Sequence, residues 1–226
     1  MRGATVSRTI RHDMTKDRIL NEAEILFAQR GYHGVTVRKI TEAAGCNLAA
    51  VNYHFGNKWR LYLAVFRFKW LPRAKKLRES LMDELSEKDC PTLTDVVKAL
   101  SRAFLKGPIT DEERTRHALL IFRELAEPTE AFDLVASKAL GPLFQTITEG
   151  LRPVMPPDLD DKRLVLNIFS IFAMVTYFNF ARAAVTNITG QEYDQDFKSL
   201  LVEHITNFSL KGLGAFDAPA TGEVVR

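Results

Sequence analysis

Residues 36–55 read TVRKITEAAGCNLAAVNYHF and have the pattern of two short helices joined by a tight turn. Thr36 can cap the first helix and Asn47 can cap the second, because both side chains can accept a hydrogen bond from a free backbone N–H. Gly45 supplies the positive φ that a sharp turn between the helices needs. The spacing therefore predicts a helix-turn-helix.

The second helix of this pair is short and has an outer face of small and polar side chains. Leu48, Val51 and Phe55 are predicted to form its buried edge. The outer face then consists of Ala49, Ala50, Asn52 and Tyr53. Such a helix fits a DNA major groove about 12 Å wide, where Asn52 alone on this face could pair bidentately with adenine. Ala49 or Ala50 suits a thymine methyl group.

Charge is divided unevenly along the chain. Residues 1–80 contain 16 Lys and Arg against 6 Asp and Glu, a net +10, and residues 81–226 contain 15 against 22, a net −7, which together give +3. A basic segment that contains the helix-turn-helix indicates a polyanionic partner. Composition by itself leaves DNA, RNA and anionic lipid open. The basic residues Arg2, Arg8 and Arg11 could enter a minor groove or form a solvated tail.

The rest of the chain has helical periodicity and helix-capping residues, without a sustained alternation of period two. We therefore predict an all-α fold, with an N-terminal three-helix bundle that contains the helix-turn-helix and a larger C-terminal helical part. The predicted further helices are 16–30, 58–85 with a bend near Pro72, one from Thr92 or Thr94 to Gly107, 110–126, 129–151 with a kink at Gly141, 160–185 and 193–210.

Composition excludes several classes of protein. The 226 residues are 26% charged and 46% hydrophobic, as in an ordinary soluble globular protein. Two cysteines do not make a disulfide framework, so a reducing cytoplasm is the simplest location. The five histidines lack metal-ligand spacing, and we predict neither a metal nor a cofactor. Residues 164–185 fall short of a clean membrane span and are predicted to be a buried helix.

The N-terminal residues resemble the DNA-binding domain of the TetR/AcrR family over roughly residues 14–70. The resemblance rests on Arg18 to Phe27, Gly31-Tyr32, Thr36 to Ile40, Ala43 to Gly45, Val51 to Phe55, Asn57-Lys58 and Leu63 to Val65. Thr41 and Cys46 depart from the usual Ala and Val, but both are small enough to be buried. The resemblance implies a homodimeric regulator, usually a repressor, with a DNA-binding domain at 14–72 and a ligand-binding and dimerisation domain at 73–212.

The resemblance also implies roles for individual residues on a double-stranded DNA operator. Thr36 and Lys58 would hold phosphates, and Arg38 would reach a base or a phosphate. Base edges would be met by Ala49, Ala50 and Asn52, and the backbone or groove wall by Tyr53 and His54. Lys39 and Asn47 complete the predicted DNA-binding set. Phosphate contacts position such a helix, whereas base contacts specify the sequence.

The C-terminal part resembles the ligand domain of the CecR-like subgroup through Arg123-Glu124, Glu127 to Thr129, Ala131-Phe132 and Pro142 to Phe144. A small hydrophobic effector could bind between helices. The predicted lining is Phe104, His117, Leu119, Phe122, Arg123, Phe144, Ile147, Phe172 and Tyr177. His117 or Arg123 could anchor a polar group of the effector. These aromatics could equally be core or dimer contacts, and Arg123 could form an ion pair with Glu124.

Two functions of other classes are alternatives to a ligand-responsive regulator. An enzyme is disfavoured, because no nucleotide-binding, nucleophile-elbow or zinc-protease motif occurs in the sequence. A DNA-binding protein that needs no small molecule and responds to a protein partner stays open. An apolar cavity would oppose it, and a fully packed C-terminal core would favour it.

Overall fold

The computed structural model describes residues 2–155 and 159–213, with side chains from Met14 onward. This part of the chain contains twelve α-helices and no strand, which confirms the all-α prediction. The helices are α1 Arg2–Arg30, α2 Val37–Ala43, α3 Leu48–Phe55, α4 Lys58–Val65, α5 Leu71–Ser86, α6 Leu93–Lys106, α7 Asp111–Ala126, α8 Glu130–Val135, α9 Gly141–Leu151, α10 Asp161–Phe180, α11 Arg182–Thr189 and α12 Gln195–Gly212.

Helix α1 begins at Arg2 and not at residue 16 as predicted. The segment before Ile19 has no proline, and Val6, Ile10 and Met14 recur in it at helical spacing, so the sequence is compatible with an earlier start of the helix than predicted. The side chains of Arg2, Arg8 and Arg11 lie outside the described residues. The end of α1 is as predicted, because Gly31 adopts a φ of 70° directly after Arg30.

Two of the predicted long helices contain a π-helical turn just before a proline. Phe66–Trp70 joins α4 to α5 ahead of Pro72, and Ala136–Leu140 joins α8 to α9 ahead of Pro142. Proline has no N–H to donate to the preceding turn, and a π-turn is one way for a helix to accommodate that loss. The two π-helical turns therefore lie where the sequence predicts a bend and a kink.

The predicted helix 160–185 is wrong in its length, because α10 ends at Phe180 and α11 begins at Arg182. The hydroxyl of Tyr193 donates to the carbonyl oxygen of Phe178 at 2.7 Å, and this oxygen is the one that Arg182 N–H would use in a continuous helix. The guanidinium of Arg182 lies over the ring of Tyr193, 4.5 Å from its centroid. The last helix also begins later than predicted, with Asp194 as its cap.

The described residues form two compact units. The first contains the residues up to Lys76 together with Ile109 to Pro142, and the second contains Leu77 to Pro108 together with the residues from Leu143 onward. A domain boundary between residues 72 and 73 stays a prediction, since neither unit is one continuous segment.

The core of the first unit joins α1 to α4 with α7 and α8. Phe27, Tyr62 and Phe66 pack ring against ring, and Leu120 of α7 and Val135 of α8 are fully buried in the same cluster. Burial of aromatic and aliphatic side chains on this scale is the main source of stability. The helix-turn-helix is therefore built on a core that includes residues 109–142.

In the second unit, α6 packs along α12 and against α10. Leu100, Ile168 and Ile205 are fully or almost fully buried. The Asn179 amide donates to the carbonyl oxygen of Phe104 at 3.1 Å, so this buried polar group is satisfied. By length and composition alone, α10 could cross a membrane, but core helices of soluble proteins pass the same test.

Candidate nucleic-acid interface

The helix-turn-helix is held by three local features that the sequence predicts. Thr36 Oγ1 accepts from Lys39 N at 3.2 Å and caps α2, and Asn47 Oδ1 accepts from Ala50 N at 3.0 Å and caps α3. Gly45 has a φ of 59° between the two helices. These bonds satisfy backbone N–H groups that have no partner within a helix, and they fix where each helix begins.

The inner face of α3 is buried from its middle to its C-terminal end and exposed to solvent at its first residue. Val51 is fully buried and Phe55 nearly so, as predicted. The prediction is wrong for Leu48, which is 54% exposed. Leu48 is the first residue of α3, one turn before Val51, and periodicity does not indicate where along a helix the packing ends.

The outer face of α3 presents side chains to solvent. Tyr53 is 76% exposed, and Ala49 and Asn52 are exposed as well. The Asn52 amide makes no hydrogen bond to any described residue. His54 is half-buried beside the ring of Tyr53, with 5.2 Å between the ring centroids. The amide of Asn52 is thus available to a ligand of this face.

Ala50 differs from its neighbours, because it is half-buried and packs against the core of the first unit. The outer face of α3 is therefore narrower than the sequence predicts.

The three cations predicted around the motif differ in their surroundings. Arg38 is largely exposed and its Nε donates to Glu42 at 2.8 Å, one helical turn away. Lys39 is exposed. The ammonium group of Lys58 lies 4.1 Å from the ring centroid of Tyr32, and partial burial lowers its pKa.

Five of the predicted effector-binding residues lie in the second unit. The rings of Phe104 and Phe172 are 5.5 Å apart, those of Phe144 and Phe172 are 5.6 Å apart, and Ile147 is buried. Tyr177 is exposed and contacts the ring of Phe180 instead. The structure therefore brings Phe104, Phe144 and Phe172 together as a ring cluster.

The other four predicted residues lie on α7 in the first unit. Leu119 and Phe122 are half-buried against its core. His117 is buried and stacked on Trp70 with 4.1 Å between ring centroids, and its Nδ1 has no hydrogen-bond partner in the described structure. Burial, followed by the charges of Arg73 and Arg114, lowers the pKa of His117 to about 3.

Arg123 and Glu124 each have partners other than one another. Arg123 donates to the carbonyl oxygens of Ala28 and Gln29 at 3.0 to 3.3 Å, at the C-terminal end of α1. Glu124 accepts from the Tyr62 hydroxyl at 2.6 Å and from the N–H and hydroxyl of Thr129 at 3.1 and 2.7 Å. Burial, followed by this hydrogen bond and the charge of Glu124, raises the pKa of Tyr62.

Sequence analysis missed a buried ion pair between α1 and α5. Both guanidinium Nη atoms of Arg73 donate to the Glu24 carboxylate, and its Nε donates to Glu113 of α7 at 3.1 Å. Both Glu24 and Arg73 are buried. The sequence does contain a sign of this pair, because Glu24 and Arg73 each lie next to the apolar face of a helix. A charged residue in such a position needs a partner of opposite charge if it is buried.

Two families of bacterial regulators match the chain. "Bacterial regulatory proteins, tetR family" matches residues 19–65, and "HTH-type transcriptional dual regulator CecR, C-terminal domain" matches residues 93–213. The first match contains both helices of the motif, and the second contains more than half of the 226 residues.

Individual relatives agree with this assignment. The HTH-type transcriptional dual regulator CecR of Shigella flexneri is 24% identical over 206 residues, 88% of this chain and 91% of that protein. The HTH-type transcriptional regulator RutR of Escherichia coli strain K12 is 27% identical over 206 residues, 88% of this chain and 90% of that protein. The fatty acid degradation regulator FadR from Bacillus halodurans has a similar fold, with a TM-score of 0.63 at 19% identity over 88% of this chain and 96% of that one. The chain therefore belongs to the TetR family of DNA-binding transcriptional regulators, with a C-terminal domain of the CecR type.

Proposed function

We propose that the protein is a cytoplasmic, homodimeric repressor that binds a palindromic operator and is released from it by a small hydrophobic effector. The observation that carries the proposal is the outer face of α3. It presents Asn52 and Tyr53 on a helix that is capped by Asn47 and anchored by the buried Val51. A short, rigid helix with an unpaired amide on its surface is suited to reading base edges in a major groove.

The basic residues around α3 would supply the phosphate contacts. Arg38 would have to exchange Glu42 for DNA, which is readily done because a fully solvent-exposed ion pair contributes little to stability. Lys58 would leave the face of Tyr32, where a cation–π contact is worth a similar amount. Thr36 and Lys39 lie at the exposed start of α2. Release of counterions from the DNA would then favour binding at low salt.

The first experiment tests base readout by Asn52. Duplexes are selected from a random pool with the full-length protein, and fluorescence anisotropy gives affinities for the selected duplex and an unrelated one. Asn52→Ala should cost about 1–3 kcal/mol on the selected duplex alone, as expected for a bidentate base contact. Asn187→Ala, at an exposed position of α11, is the matched control and should change neither affinity. An equal loss on both duplexes would contradict base readout.

Salt dependence tests the phosphate contacts separately. Binding to either duplex should weaken steeply between about 50 and about 200 mM salt. Lys39→Ala should reduce the slope for both duplexes equally, because a phosphate contact carries no sequence information. Affinity that does not change with salt would refute this part of the proposal.

An apolar stripe on α10 and α12 supports the dimer. On α10, exposed residues recur on one face at Leu166, Phe169, Tyr177 and Phe180, and on α12 at Leu200 and Phe208. Contiguous apolar surface of this kind commonly marks an interface. Leu201, by contrast, is buried within its own unit, so a charge there would unfold the protein before it tested the dimer. A two-fold dimer would place its recognition helices about one DNA turn apart, or a multiple of it.

The ring cluster of Phe104, Phe144 and Phe172 is where we place the effector. The cluster is aromatic, and Ile147 of the same unit is buried, so a largely hydrophobic molecule suits it best. Such a molecule releases DNA only if it binds more tightly to the conformation with displaced recognition helices.

Operator binding measured against the dose of an apolar compound tests this placement. Once a compound releases the wild type, Phe172→Ala should raise the dose required by about tenfold, a loss of about 1.4 kcal/mol. Phe68→Ala, at an exposed aromatic position of the first unit, is the control and should leave the dose unchanged. Transcription should be measured for both repression and activation, because the CecR relative is named a dual regulator.

The alternative is a DNA-binding protein that responds to a protein partner without a small molecule. It predicts that the selected duplex is bound as above and that no apolar compound releases it. The two functions thus differ in one measurement on the same complex.

A further inference from the structure

A pocket of about 530 Å³ lies at the C-terminal end of α1, within the first compact unit. We call it the α1-end pocket. Three segments line it: residues 30–33, Trp59 and Tyr62 of α4, and residues of the segment 123–129. Of the predicted effector-binding residues, Arg123 alone lies in this lining. A volume of this size is typical of small-molecule sites.

Three aromatic rings form one side of the α1-end pocket. The rings of Trp59 and Tyr62 are stacked with centroids 5.6 Å apart, and the ring of Tyr32 meets that of Trp59 edge-on at 5.3 Å. The Tyr62 hydroxyl is held by Glu124, so its ring cannot turn freely. Tyr62 is 2% exposed, so the ring surface open to a ligand belongs to the half-buried Trp59 and Tyr32. These rings favour a flat aromatic ligand, which can stack on one ring and meet another edge-on.

The hydrogen-bonding groups of the pocket are mostly donors without a partner. The Arg30 guanidinium and the Trp59 indole N–H make no hydrogen bond to any described residue. Arg123 binds the α1 carbonyls through Nε and Nη2, which leaves its Nη1 outside those bonds. A ligand that satisfied these donors would need acceptor atoms.

The acceptors of the pocket are already in use or lie in solvent. Both carboxylate oxygens of Glu124 accept hydrogen bonds, from Tyr62 and from Thr129. Glu127 and Arg30 are both exposed, so water and salt screen the charges of both. His33 is also exposed and contacts the ring of Tyr32. Unused donors therefore outnumber unused acceptors.

We propose that the α1-end pocket binds a planar aromatic carboxylate, with its ring against Trp59 and its carboxylate on Arg30 and Nη1 of Arg123. Guanidinium groups are well suited to carboxylates because they offer several N–H donors in one plane. The site is separate from the ring cluster assigned to the effector. It can be tested by binding to the free protein, so its failure would leave the proposed function untouched.

Calorimetric titration of the full-length protein with three related probes tests the ligand class. The anionic p-nitrobenzoate should bind at least about tenfold more tightly than the neutral p-nitrobenzamide, because charge-assisted hydrogen bonds are about twice as strong as neutral ones. Benzyltrimethylammonium, an aromatic cation, should bind no better than the amide. Equal affinity for the acid and the amide, or tighter binding of the cation, would overturn the assignment. A dissociation constant for p-nitrobenzoate weaker than about 1 mM would also overturn the assignment.

Four variants test the location. Arg30→Gln should weaken p-nitrobenzoate about tenfold and leave p-nitrobenzamide unchanged, whereas Arg60→Gln, an exposed arginine on α4 outside the lining, should affect neither. Ala126→Trp fills the pocket from an exposed position and should abolish binding of the acid. Leu125→Trp, also exposed but outside the lining, is its control. Full binding by Ala126→Trp would place the ligand elsewhere.

Fluorescence provides an independent readout, since the chain has two tryptophans. Trp59 lies in the pocket wall, and Trp70 is buried against His117. A bound nitro compound should quench Trp59, and Trp59→Phe should remove the quenching. Quenching that persists in this variant would refute the placement of the ring.

Discussion

Lowering the pH should destabilise the folded protein through His117. This imidazole is buried, is stacked on Trp70, and has a pKa lowered from 6.5 to about 3. Burial is the largest cause, and the positive charges of Arg73 on α5 and Arg114 on α7 act in the same direction. The nearby carboxylates of Glu24 and Glu113 are engaged by Arg73.

The sign of the effect follows from proton binding in the two states. In the unfolded chain His117 takes up a proton as the pH falls through 6.5, whereas in the folded protein it stays neutral until the pH approaches 3. Between these values the unfolded state binds more protons, so stability rises with pH and is lost as the pH falls. Each pH unit in this window is worth about 1.4 kcal/mol for one proton. Acidification to about pH 5 should therefore cost about 2 kcal/mol.

Urea unfolding followed by circular dichroism at neutral pH and at about pH 5 measures this cost. His117→Phe keeps a flat ring for stacking on Trp70 but cannot be protonated. It should therefore lose about 2 kcal/mol less than the wild type over the same change of pH. His204→Asn, at an exposed position, should behave as the wild type does. The reasoning is refuted if the wild type and His117→Phe lose the same free energy.

Glu24→Gln should cost about 1–3 kcal/mol of unfolding free energy, because the buried Arg73 loses the charge-assisted hydrogen bonds to Glu24 and keeps only the one to Glu113. Glu42→Gln, in an exposed ion pair, should cost much less, and equal losses in urea unfolding would contradict the assigned importance of burial. Leu200→Glu should convert dimers to monomers in sedimentation, whereas Leu48→Glu, at an equally exposed position, should not. An unchanged dimer in Leu200→Glu would remove α12 from the proposed interface.

The parts of the fold that the sequence predicts well depend on partners a few residues apart. Thr36 caps α2 by accepting from the Lys39 N–H, and Asn47 caps α3 by accepting from the Ala50 N–H. Thr110 forms a capping box with Glu113 at the start of α7. A cap of this kind requires only one side chain and a backbone N–H two or three positions later, so it can be read directly from the chain. The same is true of the positive φ at Gly45.

The parts that the sequence does not predict depend on distant partners. The break after α10 follows from Tyr193, which takes the carbonyl of Phe178 from 15 positions away. Glu24 and Arg73 are 49 positions apart. Periodicity gives α12 a broad apolar face, but burial distinguishes the exposed Leu200 from the buried Leu201. Nothing local to any of these residues indicates its partner or its side of the helix.

Helix α7 illustrates how such distant contacts bear on regulation. It is bonded to α1 through Arg123, which donates to the carbonyls of Ala28 and Gln29, and to α5 through Glu113. At the end of α1, a Cβ on Gly31 would lie 3.0 Å from Arg123 Nη1, so the close approach of this guanidinium favours a residue without a side chain. Hydrogen bonds to a charged group contribute about 1.5–3 kcal/mol each.

The free energy that couples an effector to DNA binding is usually about 1–3 kcal/mol, no more than one or two of these bonds. Under the proposed function, loss of two or more of the Arg123 bonds without replacement would cost more than this coupling free energy. Any movement of α7 is more easily accommodated if α1 moves with it. Because α1 packs against α2 and α3, such a movement carries the recognition helix as well. If the protein is regulated as proposed, displacement of α7 together with α1, with the Arg123 bonds intact, costs less free energy than displacement of α7 alone.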